Sequence, residues 1–209
     1  MANYRGPVCR LCRRNSQKLF LKGIKCTTHC TLDKKSRAKP PGQHGDKRMR
    51  VSEYSRQLRE KQKVRRIYMV QERQFRRYFA EAERQKGMTG ENLLVLLERR
   101  LDSIVHRLGF ASSMRSARQL VRNGHILVND KRVNIPSYLI KEGETVTLKE
   151  KSRENVEIKK SLTETTQAGY PEWIEFRPEN FSGRILRLPT RDQIPVAVEE
   201  HLIVEFYSR

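Results

Sequence analysis

Four cysteines stand at Cys9, Cys12, Cys26 and Cys30, as two pairs with two and three intervening residues joined by a short loop. Two pairs at such spacing can set four thiolates tetrahedrally around one Zn²⁺. Metal binding would also supply folding energy to a segment with few apolar side chains. Arg10, Arg13 and Arg14 surround the first pair and would offset part of the double negative charge of a tetrathiolate centre. The same residues leave free thiols, disulfides and an iron–sulfur cluster open, and His29 beside Cys30 leaves a Cys₃His set open. One structural zinc on Cys9, Cys12, Cys26 and Cys30 is the expectation.

A second chemistry is spread along the chain as positive charge. Lys and Arg number 44 against 24 Asp and Glu, a formal charge of +20. Residues 1–50 hold 14 basic and 2 acidic side chains, whereas residues 151–209 hold 9 and 10. Solubilising faces usually mix both signs, so the N-terminal half reads as a surface that gains from phosphate contacts and counterion release. The most specific constellation is Ser113, Arg115, Arg118, Gln119 and Arg122, followed by His125, Asn129, Lys131 and Arg132. On a helix the 115, 118, 119 and 122 positions lie together, and free N–H groups at its Ser112-Ser113 start favour phosphate. Such a surface reads shape more than sequence, as is common for structured RNA. DNA, an acidic protein or a membrane surface are the other partners it can serve.

The elements that must position these groups follow from periodicity. Ser52 is an N-cap candidate for a helix to about Tyr68, with Val51, Tyr54, Leu58, Val64, Ile67 and Tyr68 on one side. Arg56, Arg59, Lys63 and Arg66 fall almost opposite, as an anion-facing stripe. A second helix, about Glu72 to Lys86, spaces Phe75, Tyr78, Phe79 and Ala82 for a core. A leucine-rich stripe predicts one helix from about Glu91 to Leu108, stopped by Gly109. A shorter helix then ends at Asn123-Gly124. β-prone pieces follow, with Asn129-Asp130 as a hairpin turn, and Trp173–Phe176 and Leu202–Phe206 alternate like strands. The fold class is α+β in four segments: a zinc-binding N-terminal knob and extended Pro/Gly linker (1–45), a basic helical domain (46–90), a small αα-plus-β-hairpin RNA-binding module (91–163), and a short mixed C-terminal region (164–209). The last segment lacks net positive charge and is expected to pack back on the helical domain.

Several function classes find no support. At 209 residues with 36% hydrophobic content, the chain holds one to two domains with a thin core. Its longest aliphatic run, Leu93 to Leu97, is far short of the roughly 20 residues of a membrane span. Arg5, Arg10, Arg13, Arg14, Lys18, Lys22 and Lys25 interrupt any signal-peptide segment, so a reducing cytoplasm is expected. No phosphate-binding Gly-x4-Gly-Lys loop, Gly-x-Ser-x-Gly elbow or His-Glu-x2-His helix occurs, and the histidines at 29, 44, 106, 125 and 201 are scattered. No small-molecule substrate is expected.

At this point a resemblance enters. Arg100-Leu101-Asp102, Arg107-Leu108-Gly109-Phe110-Ala111, Ser116-Ala117-Arg118-Gln119-Leu120-Val121 and Gly124-His125-Ile126-x-Val128-Asn129 resemble the RNA-binding module named after bacterial small-subunit ribosomal protein S four. That module alone also occurs in pseudouridine synthases, tyrosyl-tRNA synthetases and a stress-induced ribosome-binding protein. Tyr4-Arg5-Gly6-Pro7, Pro41-Gly42-Gln43-His44-Gly45, the run from Leu58 to Tyr68, Glu72-Arg73-Gln74-Phe75 and Tyr207-Ser208-Arg209 are similar to the ribosomal family itself, of its cysteine-knuckle type. The resemblance covers essentially the full length.

It implies a non-enzymatic, cytoplasmic component of the small ribosomal subunit. Such a protein is a primary binder of small-subunit (16S) rRNA at a multi-helix junction of the 5′ domain, early in assembly. By position it implies RNA contacts from Arg56, Arg59, Lys63, Arg66, Arg115, Arg118, Gln119 and Arg122, and it places Lys47, Arg48 and Arg50 beside the mRNA entry channel. Ribosomal protein S five and other small-subunit proteins are implied partners, at an interface linked to decoding accuracy, and some members repress their own mRNA. Two departures stand out. The second cysteine pair encloses three residues where four are frequent, and the hairpin turn is Asn129-Asp130 where Asn-Gly is usual. An RNA-modifying or quality-control protein using the same module would need a catalytic domain of about 150 residues or more beyond it. A zinc-containing DNA regulator would call for a dimerisation element.

Overall fold

A computed structural model describes residue 4, residues 6–45 and residues 50–208. It is α+β, with helices α1 (Cys9–Asn15), α2 (Lys25–Thr28), α3 (Glu53–Ile67), α4 (Glu72–Arg84), α5 (Thr89–Glu98), α6 (Leu101–Arg107), α7 (Met114–Arg122), α8 (Glu150–Arg153), α9 (Val156–Ala168) and α10 (Glu200–Tyr207). Strands β1 (Ile126–Val128), β2 (Lys131–Arg132), β3 (Thr145–Leu148), β4 (Ile174–Arg177) and β5 (Ser182–Ile185) form one antiparallel sheet in the order β2-β1-β3-β5-β4. The chain divides into two compact units, Met1–Gly90 with Val196–Arg209, and Glu91–Pro195. No helix among the described residues is long and apolar enough to cross a membrane.

In the first unit, Ser52 caps α3 as its sequence predicts, its hydroxyl accepting from the Ser55 N–H at 3.3 Å. The face that α3 buries overlaps only in part with the one its apolar residues trace, sharing Val64 and Tyr68. Val51 and Tyr54 are exposed, while Gln57, Lys61, Val64 and Tyr68 are buried at helical spacing. The nitrogen of each polar side chain finds a carboxylate partner. Gln57 Nε2 donates to Glu205 at 2.9 Å, and Lys61 Nζ lies 2.9 Å from Glu72 and 4.6 Å from the Phe206 ring centroid. Residues 202–206, which alternate like a strand, are the middle of α10 instead, with Leu202 and Ile203 both buried. Five residues are too few for period 2 and period 3.6 to be told apart. α10 packs on α3, and α4 buries Phe75, Tyr78, Phe79 and Ala82 as their spacing requires.

In the second unit, the single helix expected from Glu91 to Leu108 is two. The chain turns extended at Arg100 (φ −66°, ψ 140°) because its backbone is drawn into a bridge with Leu139. The Leu101 N–H donates to Tyr138 and the Ile140 N–H to Arg99, both at 2.9 Å. The β1–β2 hairpin turns at Asn129-Asp130 with positive φ at both residues (46° and 61°), the form a two-residue hairpin requires. Asn129 Oδ1 accepts from the Thr145 N–H at 2.9 Å, tying the turn to β3. Helices α6, α7 and α9 and the sheet close over one core that includes Leu101, Val105, Phe110, Val121, Val146, Leu162 and Trp173. β5 approaches α6 closely enough that any side chain at Gly183 would overlap Leu108.

Candidate nucleic-acid interface

α7 is the element that carries the second unit's cations. Ser113 caps it, the hydroxyl accepting from the Ser116 N–H at 3.3 Å. Ala117 and Val121 bury one face, and Arg115, Gln119 and Arg122 are exposed at i, i+4 and i+7, in line along the other. The four-residue face expected from the sequence therefore divides, because Arg118 turns inward and is buried. Its Nη1 donates to Asp102 Oδ2 at 3.1 Å. Burial lowers the Arg118 pKa, and Asp102 opposes that shift.

Asp102 is the centre of this part of the molecule. Arg100, 0% exposed, meets it with two hydrogen bonds, Nε to Oδ1 at 3.0 Å and Nη2 to Oδ2 at 2.7 Å, and the Ser103 N–H adds a third donor at 3.1 Å. A buried ion is tolerated when its lone pairs are filled in this way. Beside it, buried Glu98 accepts from Arg107 Nε at 3.0 Å and from the Ser103 hydroxyl at 3.3 Å. Asp102 holds α7 through Arg118 without facing solvent. The sequence signal of these residues is charge set inside an otherwise apolar stripe, with Asp102 and Ser103 between Leu101 and Ile104.

After α7 the cations continue. The half-buried His125 shares a 2.8 Å hydrogen bond between Nδ1 and the Ser152 hydroxyl, and the Lys149 N–H donates to the His125 carbonyl at 2.9 Å. Lys149 and Lys151 are exposed next to it, and sequence reasoning passed them over because neither lies on a periodic face. Lys131 and Arg132 project from the hairpin, both exposed, and Arg132 Nη2 reaches the Asn123 carbonyl at 3.4 Å. Gly124 (φ +72°) leaves room for that guanidinium, since a Cβ there would overlap it.

In the first unit the α3 stripe also divides. Arg56 is exposed, with Glu53 3.9 Å away. Lys63 is buried, its ammonium 3.1 Å from the Glu60 carboxylate. Arg59 is half-buried, with its Nε enclosed and lacking a hydrogen-bond partner. Arg66 is half-buried too, and burial, with the nearby charges of Arg65 and Arg14, lowers its pKa against the opposing effect of Tyr4. Arg50 is exposed; Lys47 and Arg48 lie outside the described residues.

The four cysteines line one cavity of about 320 Å³ with Lys22, Lys25 and His29. Cys12 and Cys26 are buried and Cys9 and Cys30 half-buried, with no disulfide among them. Burial raises the Cys12 thiol pKa, a backbone hydrogen bond at Leu19 opposes this, and Cys26, Cys9 and Cys30 raise it further. Burial likewise raises Cys26, against the 3.3 Å hydrogen bond from the Lys22 N–H to its Sγ. Four cysteine sulfurs around one cavity, two of them near backbone N–H donors, fit a thiophilic divalent metal in kind. Their positions are not those of a closed coordination group, however: among the described residues no three of His, Cys, Asp or Glu stand ready to hold a metal ion.

Residues 3–98 match the family model of the ribosomal protein S4/S9 N-terminal domain, and residues 99–146 match that of the S4 domain. The chain is 59% identical to small ribosomal subunit protein uS4 of Natranaerobius thermophilus and 56% identical to that of Pelotomaculum thermopropionicum. It is also 56% identical to small ribosomal subunit protein uS4A of Symbiobacterium thermophilum, and all three matches cover 100% of both chains. Agreement at that level from end to end means that the chain belongs to the small ribosomal subunit protein uS4 family.

Proposed function

We propose that the chain is a structural, non-enzymatic component of the small ribosomal subunit in the cytoplasm. It acts as a primary ligand of small-subunit rRNA, seated on a multi-helix junction of the 5′ domain, where it nucleates assembly. One observation carries this: α7 is capped by Ser113, braced from behind by Arg118 on Asp102, and presents Arg115, Gln119 and Arg122 in line to solvent. A row of cations on a braced helix suits a phosphate backbone of fixed shape. Arg132, Lys131 and His125 extend the contact from the second unit, and Arg50, Arg56, Arg59 and Arg66 supply it from the first. Lys63 and Arg118 serve as positioning groups.

One zinc ion on Cys9, Cys12, Cys26 and Cys30 gives the N-terminal knob of residues 1–45 the cross-link that its few buried apolar residues do not. When bound, the metal supplies charge neutralisation of four thiolates and a fixed chain path. Ribosomal protein S five and neighbouring small-subunit proteins are partners at an interface that contributes to translational accuracy, and Lys47, Arg48 and Arg50 border the mRNA path. The test is a filter-binding titration of the full chain against the 5′-domain rRNA fragment, with equal-length duplex DNA and an unrelated folded RNA as competitors. Binding that survives both competitors supports the reading, with log K falling by about 0.7–0.9 per log salt for each phosphate neutralised. Equal binding to all three reduces the chain to a general polycation.

A further inference from the structure

We infer that Phe20 is a stacking platform for an unpaired nucleobase of the bound RNA, an inference that rests on the rRNA-binding function proposed above. Phe20 holds φ at +50°, in the left-handed region. A non-glycine residue there is strained, and a surrounding structure normally has to enforce it. The other described non-glycine residues with positive φ each have a local reason. Ser16 caps α1, Asn129 and Asp130 make the hairpin turn, Met69 closes the end of α3 with its N–H donating to the Arg66 carbonyl, and Phe181 packs against the core beneath Arg153. Phe20 alone among them is a large apolar side chain left 55% exposed. The neighbouring Leu19 is buried and holds the chain from which Phe20 turns out.

The surroundings say what the ring is for. Lys22, Ile24 and Lys25 are exposed on the same turn, between Cys12 and Cys26. Asp33 is the one acidic residue from 6 to 45, and its carboxylate is taken by Lys18 at 2.7 Å. Lys22 and Lys25 make no ion pair among the described residues. An exposed aromatic face set among cations not taken up by carboxylates matches a single-stranded nucleic acid, whose base stacks while its phosphates meet the lysines. An apolar protein surface would instead meet two side chains, Phe20 and Ile24, ringed by unpaired charge.

The experiment measures full-length wild type and Phe20 variants against the 5′-domain rRNA fragment in zinc-containing buffer, with duplex DNA as competitor. Phe20→Gly removes the ring and relieves the left-handed strain, so the free protein keeps or raises its thermal midpoint while RNA binding weakens about 5- to 100-fold. Phe20→Trp retains affinity, and the added indole emission is quenched on RNA, against a background from the buried Trp173. The salt slope is unchanged by Phe20→Gly and falls in the Lys22→Gln, Lys25→Gln double variant. If wild type binds and Phe20→Gly binds within twofold of it, this inference fails alone. It also fails if Phe20→Leu binds as tightly as wild type, which would make the contact apolar bulk, or if only association with small-subunit proteins suffers. If wild type itself shows no preference for the rRNA, the functional reading falls and takes the inference with it.

Discussion

Two carboxylates in this protein each collect more than one cation, and they do so at different depths. Asp102 is 1% exposed in its side chain and is met by Arg100 and Arg118, all within the second unit and close in sequence. Glu72 is 31% exposed and is met by Lys61 at 2.9 Å, Arg65 at 2.7 Å and the Tyr207 hydroxyl at 2.8 Å. Tyr207 comes from the far end of the chain, in α10. The deep cluster fixes the geometry of one helix and is shielded from solvent. The shallow one joins three helices and stays within reach of water, salt and pH. Depth thus separates a charge that shapes the fold from one that fastens a terminus.

The largest effect expected from this contrast is in the deep cluster. Asp102→Asn removes the charge that the fully buried Arg100 guanidinium meets with two hydrogen bonds and should cost about 3–5 kcal/mol. Trp173, the chain's one tryptophan, lies in the same core, so its emission during urea unfolding reports this unit. A loss below about 1 kcal/mol would mean that Arg100 finds another partner. The shallow counterpart, Glu72→Gln, should cost about half as much by helical circular dichroism, because solvent can reach the orphaned cations.

The half-buried His106 sharpens the contrast. Burial, together with the adjacent Arg107 charge and against the pull of Glu98, lowers the His106 pKa to about 4. The unfolded chain, with an ordinary histidine near 6.5, takes up a proton first as pH falls. Stability from this site is therefore complete above about pH 6.5 and is lost progressively as pH falls toward 4, by at most about 3 kcal/mol. Glu72 acts in a lower window. Burial alone would raise its pKa, but hydrogen bonds from Lys61, Tyr207 and Arg65 outweigh burial and hold it below the usual value. Its contribution is present above about pH 4.3 and lost below that, through the depressed folded value. Stability against pH for His106→Gln should flatten only the upper window, and for Glu72→Gln only the lower.

Local rules made part of this legible in the sequence. The Ser52 and Ser113 caps, the aromatic face of α4, the stops at Gly109 and Gly124 and the Asn129-Asp130 turn depend on neighbours a few residues away, and the structure has all of them. What the sequence could not show depends on distant partners. The buried Gln57–Lys61 face of α3 exists because Glu205, Phe206 and Tyr207 arrive from the other end of the chain. The break at Arg100 exists because residues 138–140 bridge to it. Among candidate contact residues, composition gave the cations but not which ones turn inward, since Arg118 and Arg122 differ only in whether a carboxylate waits behind them.

A smaller effect tests the fastening role of the shallow cluster. Tyr207→Phe keeps the ring contact with Phe79, 4.6 Å between centroids, and removes only the hydroxyl bonded to Glu72. With an acceptor that is charged but partly solvated, the loss should be about 1 kcal/mol. Faster hydrogen exchange confined to α10 and the facing turns of α3 would confirm that the bond fastens the terminus. Uniform acceleration across the first unit would give it a wider role.

The smallest change in stability should come from Arg122, the exposed member of a pair on α7 that differs in what it touches. Arg122 is exposed on α7, so Arg122→Gln should shift the unfolding midpoint by less than about 0.5 kcal/mol. If it meets a phosphate as proposed, it should lower the log–log salt slope of rRNA binding by about 0.7–0.9. Arg118→Gln reverses the pattern. It takes one of the two guanidinium partners from the Asp102 carboxylate, so the fold should weaken by about 1–3 kcal/mol, while the salt slope stays at the wild-type value because no exposed cation is lost. Measured together, the two substitutions separate a group that grips from a group that braces. Equal salt slopes in both variants would put Arg118 on the RNA as well, and the division of the α7 cations would then belong to the free protein alone.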